Sequence, residues 1–216
     1  GGKHLNLGDK IGSKQVVHVN EIDAVGEGAM NLSGINNKNP TIIVSAGSGT
    51  ACILAKDGKF MHCSGTGVGG GTVLGLSKLL LGTTDPIEIA QLAKAGNESA
   101  VDLILEDVVS GPIGELPSDT TAVNFGKISK IDSEISKQDI AAGIVNLVGQ
   151  TAARIATSVA TTFKAKEIVV VGRSPSFNGL KNSLEQAASI MGFSPHFPKN
   201  GKYASALGAL LVAEKN

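Results

Sequence analysis

The sequence predicts an α/β protein in which strands and helices alternate along a single domain-like chain. Three observations lead there. Residues 167–172, "EIVVVG", form a continuous β-branched run of the kind found in a strand buried on both faces. Asp57-Gly58 stands between two apolar runs, and that dipeptide suits a two-residue hairpin turn because both positions must reach φ > 0. Within residues 136–165, Ile140, Ile144, Leu147, Val148, Ile155 and Val159 follow helical spacing. The length of 216 residues suffices for a substantial core. Nineteen Lys and Arg balance nineteen Asp and Glu, which gives no pull toward nucleic acid or an anionic membrane. Aromatic residues make up 3%, with no Trp, which argues against stacking platforms for bases, and 42% hydrophobic residues exclude disorder. Apolar runs fall well short of the roughly 20 residues of a membrane span, and no cleavable leader is visible. A soluble, cytoplasmic protein is expected.

The elements follow in order. Residues 15–19, "QVVHV", read as a short strand. Asn20 and Asp23 form a capping pair for a helix over residues 21–32, closed by Gly34. Residues 41–55 read as two strands joined at a glycine-rich bend. The hairpin returns through "KFMHC", with Cys52 opposite Cys63 and Leu54 opposite Met61. That pairing permits a disulfide sterically; a reducing compartment favours two thiols, and both read as core residues. A glycine loop, "SGTGVGGG", leads into a helix ending near Leu81. Residues 86–96 and 98–109 read as two short helices, and residues 111–127 as a loop ending in a strand. Ser136 with Asp139 caps the long helix, whose other faces carry Ala, Gly and Thr and therefore pack on more than one side. A helix over residues 176–190, a short strand "SPHFP" and a last helix "YASALGALLVAEK" complete the chain.

Three glycine-bearing turns follow apolar strands: Gly47-Ser48-Gly49-Thr50, Gly65 to Thr72, and Gly172-Arg173-Ser174. Glycine there lets backbone approach a ligand, and successive N–H groups can point at one anion. The second turn opens a helix, whose N-terminus favours phosphate. Each turn taken singly is equally well a tight corner. None fits the P-loop spacing, and Gly67 to Thr72 lacks the later acidic residue of the dinucleotide fingerprint. Glu21 stands at a strand-to-helix junction, where it either accepts a proton from a substrate hydroxyl or complements the helix dipole. His62 lies opposite Ile53, facing away from the cysteines, and reads on its own as structural. Neither the histidines nor the two cysteines have metal-site spacing, so no protein-held metal is expected.

The ordered set "VNEIDAVGEGA", "VSAGSGTACI", "SGTGVGGGTVLGLSKLLLG", "TAVNFGK", "IVVVGRS" and "GKYASALGALL" resembles the type II pantothenate kinases over nearly the whole chain. These belong to the acetate-and-sugar-kinase, Hsp70 and actin superfamily. The resemblance implies an actin-like, ribonuclease H-like kinase fold. Residues 1–40 would be a remnant of the N-terminal lobe carrying Glu21, and residues 41–216 the C-terminal lobe. It implies phosphorylation of pantothenate by ATP with Mg2+, the first step of coenzyme A biosynthesis, by a cytoplasmic homodimer. Glu21 matches the catalytic base. Ser48, Gly69, Gly70, Gly71 and Thr72 match nucleotide-phosphate positions, and Gly172 with Arg173 the adenosine-side loop. On the substrate side stand Gly65, Tyr203, His62 in place of an arginine, and Ala51 in place of a serine. A histidine lacks the bidentate guanidinium fork. The family's opening Asp-x-Gly-Gly-Thr phosphate segment has no counterpart, and the chain alone is expected to turn over poorly. Two other expectations are a related kinase acting on a different hydroxyl and a truncated, non-catalytic nucleotide- or coenzyme A-binding module or subunit.

Overall fold

A computed structural model of the chain describes residues 6, 8–36, 38–109, 112–114 and 116–215; Gly111 and Glu115 of the expected loop lie outside them. Two paired dipeptides, β1 (Lys10–Ile11) and β2 (Lys14–Gln15), lead into helix α1 (Glu21–Ser33). Strands β3 (Thr41–Ala46), β4 (Thr50–Lys56) and β5 (Lys59–Thr66) follow, then helices α2 (Gly70–Leu80) and α3 (Pro86–Ala95). An antiparallel pair, β6 (Leu103–Ile104) and β7 (Thr121–Val123), flanks the one-turn helix α4 (Leu105–Val108). Then come α5 (Lys137–Thr162), β8 (Glu167–Val171), α6 (Asn178–Ile190) and α7 (Ala204–Lys215). Among the described residues no helix is long and apolar enough to cross a membrane.

The central sheet has the order β5-β4-β3-β8, with β8 parallel to β3 and the other pairs antiparallel. Alternation along each strand sends side chains to opposite faces. Ile42, Val44, Ile168 and Val170 pack on Ala152, Ala153, Ala156 and Ala160 of α5, whose small side chains let the helix lie close to the sheet. Ile43, Ile53, Val169 and Val171 pack on Val25, Ala29 and Met30 of α1 and Ala204 of α7. A third cluster, centred on Val73, Ile89, Ile144, Val148 and Leu180, binds α2, α3 and α6 to α5. Asn20, Gly34 and Ser136 cap their helices as expected, but among the described residues Asp23 returns no bond to Asn20. Asn20 accepts the Ile22 N–H at 2.8 Å, Gly34 closes α1 at φ 67°, and Ser136 Oγ accepts the Asp139 N–H at 3.1 Å. The expected lobe boundary at residue 40 falls in the connection between α1 and β3.

Four expectations of detail are corrected. Residues 16–19 form no strand: the paired ladder ends at Gln15, one further bond runs from the Val16 N–H to Asp9 O at 2.8 Å, and Val17 is exposed. The expected helix over residues 98–109 breaks into a 3-10 turn, β6 and α4, because the Asp102 carboxylate is drawn inward to the Phe125 N–H at 2.7 Å. "SPHFP" contributes only the bridge of His196 to Val169, since Pro195 and Pro198 have no N–H to extend a ladder. In the hairpin, Leu54 opposes Met61 and Ile53 opposes His62 as expected, but a bulge then sets Cys52 opposite Ser64. Cys63 is the extra residue of that bulge, and both cysteines are free thiols.

Candidate active site

β3, β5 and β8 all run in one direction, so the three glycine turns that follow them gather at one edge of the sheet. That edge, outside the carboxyl ends of strands, is where open α/β sheets bind ligands. The turns are bonded to one another. Gly70 N–H donates to Gly47 O at 2.9 Å and Gly71 N–H to Ser48 O at 2.8 Å. Ser174 Oγ donates to the same Gly47 O at 2.9 Å. Their backbones approach too closely for side chains. A Cβ on Gly69 would lie 2.7 Å from Gly49, one on Gly70 2.8 Å from Ser174 Oγ, and one on Gly172 (φ 106°) would overlap the Ala46 carbonyl. Threonines pin the second turn: Thr50 Oγ1 donates to Val68 O at 2.9 Å, and Thr72 Oγ1 accepts the Gly69 N–H at 3.1 Å.

This geometry changes what the α2 N-terminus offers. The N–H groups of Gly70, Gly71, Thr72 and Val73 all donate to protein carbonyls, the last two to Gly69 O at 2.9 and 3.1 Å. Those glycines zip the turns together, and the carbonyls of the first turn occupy the place where an anion would meet the helix. Ser48 remains exposed on the surface of the junction, as does Arg173.

The substrate-side residues fall into two groups. Ala51 pairs with Gly65 across β4 and β5, and His62 Nε2 lies 3.6 Å from where a Gly65 Cβ would stand, so these three share one patch. Tyr203 sits in the 3-10 turn before α7, exposed, with the Lys202 ammonium 5.0 Å from its ring centre. That turn is tied to the third glycine turn through Gly172 N–H and Gly201 O at 3.1 Å. Glu21 is exposed at the first position of α1, and among the described residues no hydrogen bond or ion pair engages its carboxylate or joins it to the three turns. α1 itself is held by α7: a Cβ on Gly28 would overlap the Ala204 carbonyl, and one on Gly208 the Ala24 carbonyl.

Beside the junction a cleft of about 780 Å³ opens between α3, α5 and α6. Arg173 and Phe177, which follow the third turn, line it together with Gln91 and Lys94 of α3, Asn146 of α5 and Ser183 of α6. Two of these belong to a buried network. Asp102, fully buried, accepts hydrogen bonds from Phe125 N–H, Asn124 Nδ2 and Asn146 Nδ2, and Asn146 Oδ1 accepts the Ser183 hydroxyl at 2.9 Å. Sequence reasoning found the turns and Arg173 but missed this cleft, its network and the Ser174 bridge. Only the polar residues on otherwise apolar faces of α5 and α6 signalled them.

The Fumble family matches residues 13–212 of the chain. The chain belongs to the Fumble family. The type II pantothenate kinase of Bacillus anthracis is 30% identical over 220 residues, which cover 99% of this chain and 79% of that protein. The activator of the 2-hydroxyisocaproyl-CoA dehydratase from Clostridium difficile, with bound ADPNP, is similar in structure at TM-score 0.59 and 16% identity, over 98% of this chain and 70% of that one. A ROK family glucokinase from Streptomyces griseus in complex with glucose and AMPPNP gives TM-score 0.55 and 13% identity, over 94% and 69%. At such identities these two structures speak for the fold. This Fumble-family chain has the actin-like kinase fold, and both neighbours hold an ATP analogue.

Proposed function

We propose that the protein is an ATP-dependent kinase that transfers the γ-phosphoryl group of ATP to the primary hydroxyl of pantothenate, the first step of coenzyme A biosynthesis. The observation that carries this reading is the junction of three glycine turns at one sheet edge beside a nucleotide-sized cleft, in a Fumble-family chain whose relatives bear the name pantothenate kinase. The nucleoside enters the cleft past Arg173, and the phosphates lie at the exposed face of the junction beside Ser48 and Arg173. The turn from Gly69 to Thr72 is the backbone support beneath them rather than their N–H donor. Pantothenate lies on the side of Ala51, His62, Gly65 and Tyr203. Its hydroxyl oxygen bonds to the γ-phosphorus as the bond to the ADP oxygen breaks, and Glu21 takes the hydroxyl proton. Such a transfer is mostly positioning and charge stabilisation. Mg2+ supplies neutralising charge on the phosphates. Such an ion would be held by the substrate phosphates and one or two carboxylates. The same reading places the protein in the cytoplasm as a homodimer.

The patch of Ala51 with His62 favours one second reading, the same kinase acting on a different hydroxyl compound, because a histidine offers no fork to a carboxylate. One assay separates them. With Mg-ATP and pantothenate, the protein forms ADP and phosphorylated pantothenate, and Glu21→Gln lowers kcat by about 100-fold or more while ATP affinity holds. Unchanged turnover in that variant removes Glu21 from the base role alone. ATP binding with turnover only on another hydroxyl compound selects the second reading, and a protein that binds no ATP ends both.

A further inference from the structure

Asp102 is a carboxylate with no ion-pair partner among the described residues, fully buried, and 44 positions before the α5 residue that it grips. Both of its oxygens act as acceptors. Oδ1 takes the Phe125 N–H at 2.7 Å, while Oδ2 takes Asn124 Nδ2 at 3.1 Å and Asn146 Nδ2 at 2.9 Å. A backbone N–H cannot turn round, so the direction of this chain of bonds is set at Phe125. An acceptor at Asp102 forces the Asn146 amide to present its NH2 inward, and its Oδ1 then faces Ser183. Ser183 has one proton, and both neighbours of its hydroxyl are oxygens: Asn146 Oδ1 at 2.9 Å and Asn146 O at 3.2 Å. The proton is therefore spent inside the protein, and what Ser183 Oγ has left for the cleft is a lone pair.

We propose that Asp102 is a positioning residue which, through Asn146, makes Ser183 a hydrogen-bond acceptor in the cleft, and that this polarity selects a nucleotide whose base carries an amino group there over one that carries a carbonyl oxygen. An exocyclic N–H2 donates to Ser183 Oγ, whereas a base carbonyl meets a lone pair and leaves both oxygens unsatisfied. Asn146 and Ser183 are each more than nine-tenths buried, so water does not easily make up the loss. The inference rests on the cleft being the nucleotide site.

The test compares binding of Mg-ATP and Mg-GTP by calorimetry, with melting temperature as the control for folding. The wild-type protein binds ATP at least about tenfold more tightly than GTP, the worth of one such hydrogen bond. Asp102→Asn must keep an oxygen toward Phe125 N–H, so its new NH2 faces Asn146 and turns that amide over. Ser183 Oγ then accepts a hydrogen bond from Asn146 Nδ2, which competes with the cleft for its lone pairs, and the ATP/GTP preference narrows by up to about tenfold. Ser183→Ala narrows it similarly with Asp102 and Asn146 untouched, and decides the matter if Asp102→Asn does not fold. Asp102→Asn combined with Asn146→Asp restores an acceptor beside Ser183 and with it the preference. Equal wild-type affinities, an unchanged ratio in folded Asp102→Asn and Ser183→Ala, or a parallel loss for both nucleotides overturns the inference while the kinase reading stands. A protein that binds neither nucleotide overturns both.

Discussion

Gly28 and Gly208 are the residues at which two helices meet backbone to backbone, so Cβ atoms there would strike carbonyl groups that have no side-chain freedom to move. Propensity alone favours alanine over glycine inside any helix by about 0.5–1 kcal/mol. Gly75 in α2 has nothing within 4 Å of its missing Cβ and isolates that propensity effect. Gly75→Ala should therefore stabilise the protein by about 0.5–1 kcal/mol, whereas Gly28→Ala should cost about 2 kcal/mol through overpacking. Urea unfolding of the three proteins reads both shifts, and a gain in both variants would mean that α1 and α7 do not touch at these positions. Single residues also mark the limit of reading a sequence. The glycine runs announced a site by composition. Asp102 did not, because its role depends on Asn124, Phe125 and Asn146, far along the chain.

The hairpin of β4 and β5 shows what an element reveals in sequence and what it hides. Asp57-Gly58 and alternation give the pairing near the turn, as far as Ile53 with His62. The bulge beyond it inserts one residue, and no residue type announces it, because Cys63 packs as well there as in a regular ladder. Likewise the spacing of Val101, Leu105 and Val109 suits a helix, yet tertiary bonds to Asp102 override it. The bulge has a chemical consequence. Burial, and then the neighbouring Cys63, pushes the Cys52 thiol up to about 11, while Cys63 is raised less and is partly exposed. Reactivity follows thiolate and access. Alkylation of the native protein at pH 8 should give one adduct, at Cys63, and a second at Cys52 only in denaturant, as read by peptide mass spectrometry. Adducts forming at equal rates would contradict this packing, as would a melting temperature that falls on adding dithiothreitol.

At the scale of the molecule, the order of motifs was legible because each sits on a strand or helix with its own periodicity. The cleft was not, because it is the gap left between three helices whose packing no local pattern specifies. Stability is also unevenly spread. Strands β3 and β8 are buried on both faces, whereas residues 97–131 are held partly by carboxylates near the surface. Asp139 of α5 ties down Asn97, and Asp107 pairs with Lys127 within the segment. The Ser136 hydroxyl and the Asn97 N–H hold Asp139 below the usual carboxylate range. The Ile104 N–H and then Lys127 do the same for Asp107. A carboxyl depressed in the folded state binds its proton more readily when unfolded. Its contribution is present above the unfolded value of about 4 and is lost as pH falls through the folded value. Acidification from about pH 5 toward 3 should therefore loosen residues 97–131 before the sheet. Hydrogen exchange, corrected for its intrinsic pH dependence, should show peptides of this segment losing protection while β3 and β8 keep theirs. In an Asp107→Asn/Asp139→Asn protein the segment should already be loosened at pH 7 and respond little to acid. Loss of protection in segment and sheet together would mean that these carboxylates fasten nothing that opens on its own.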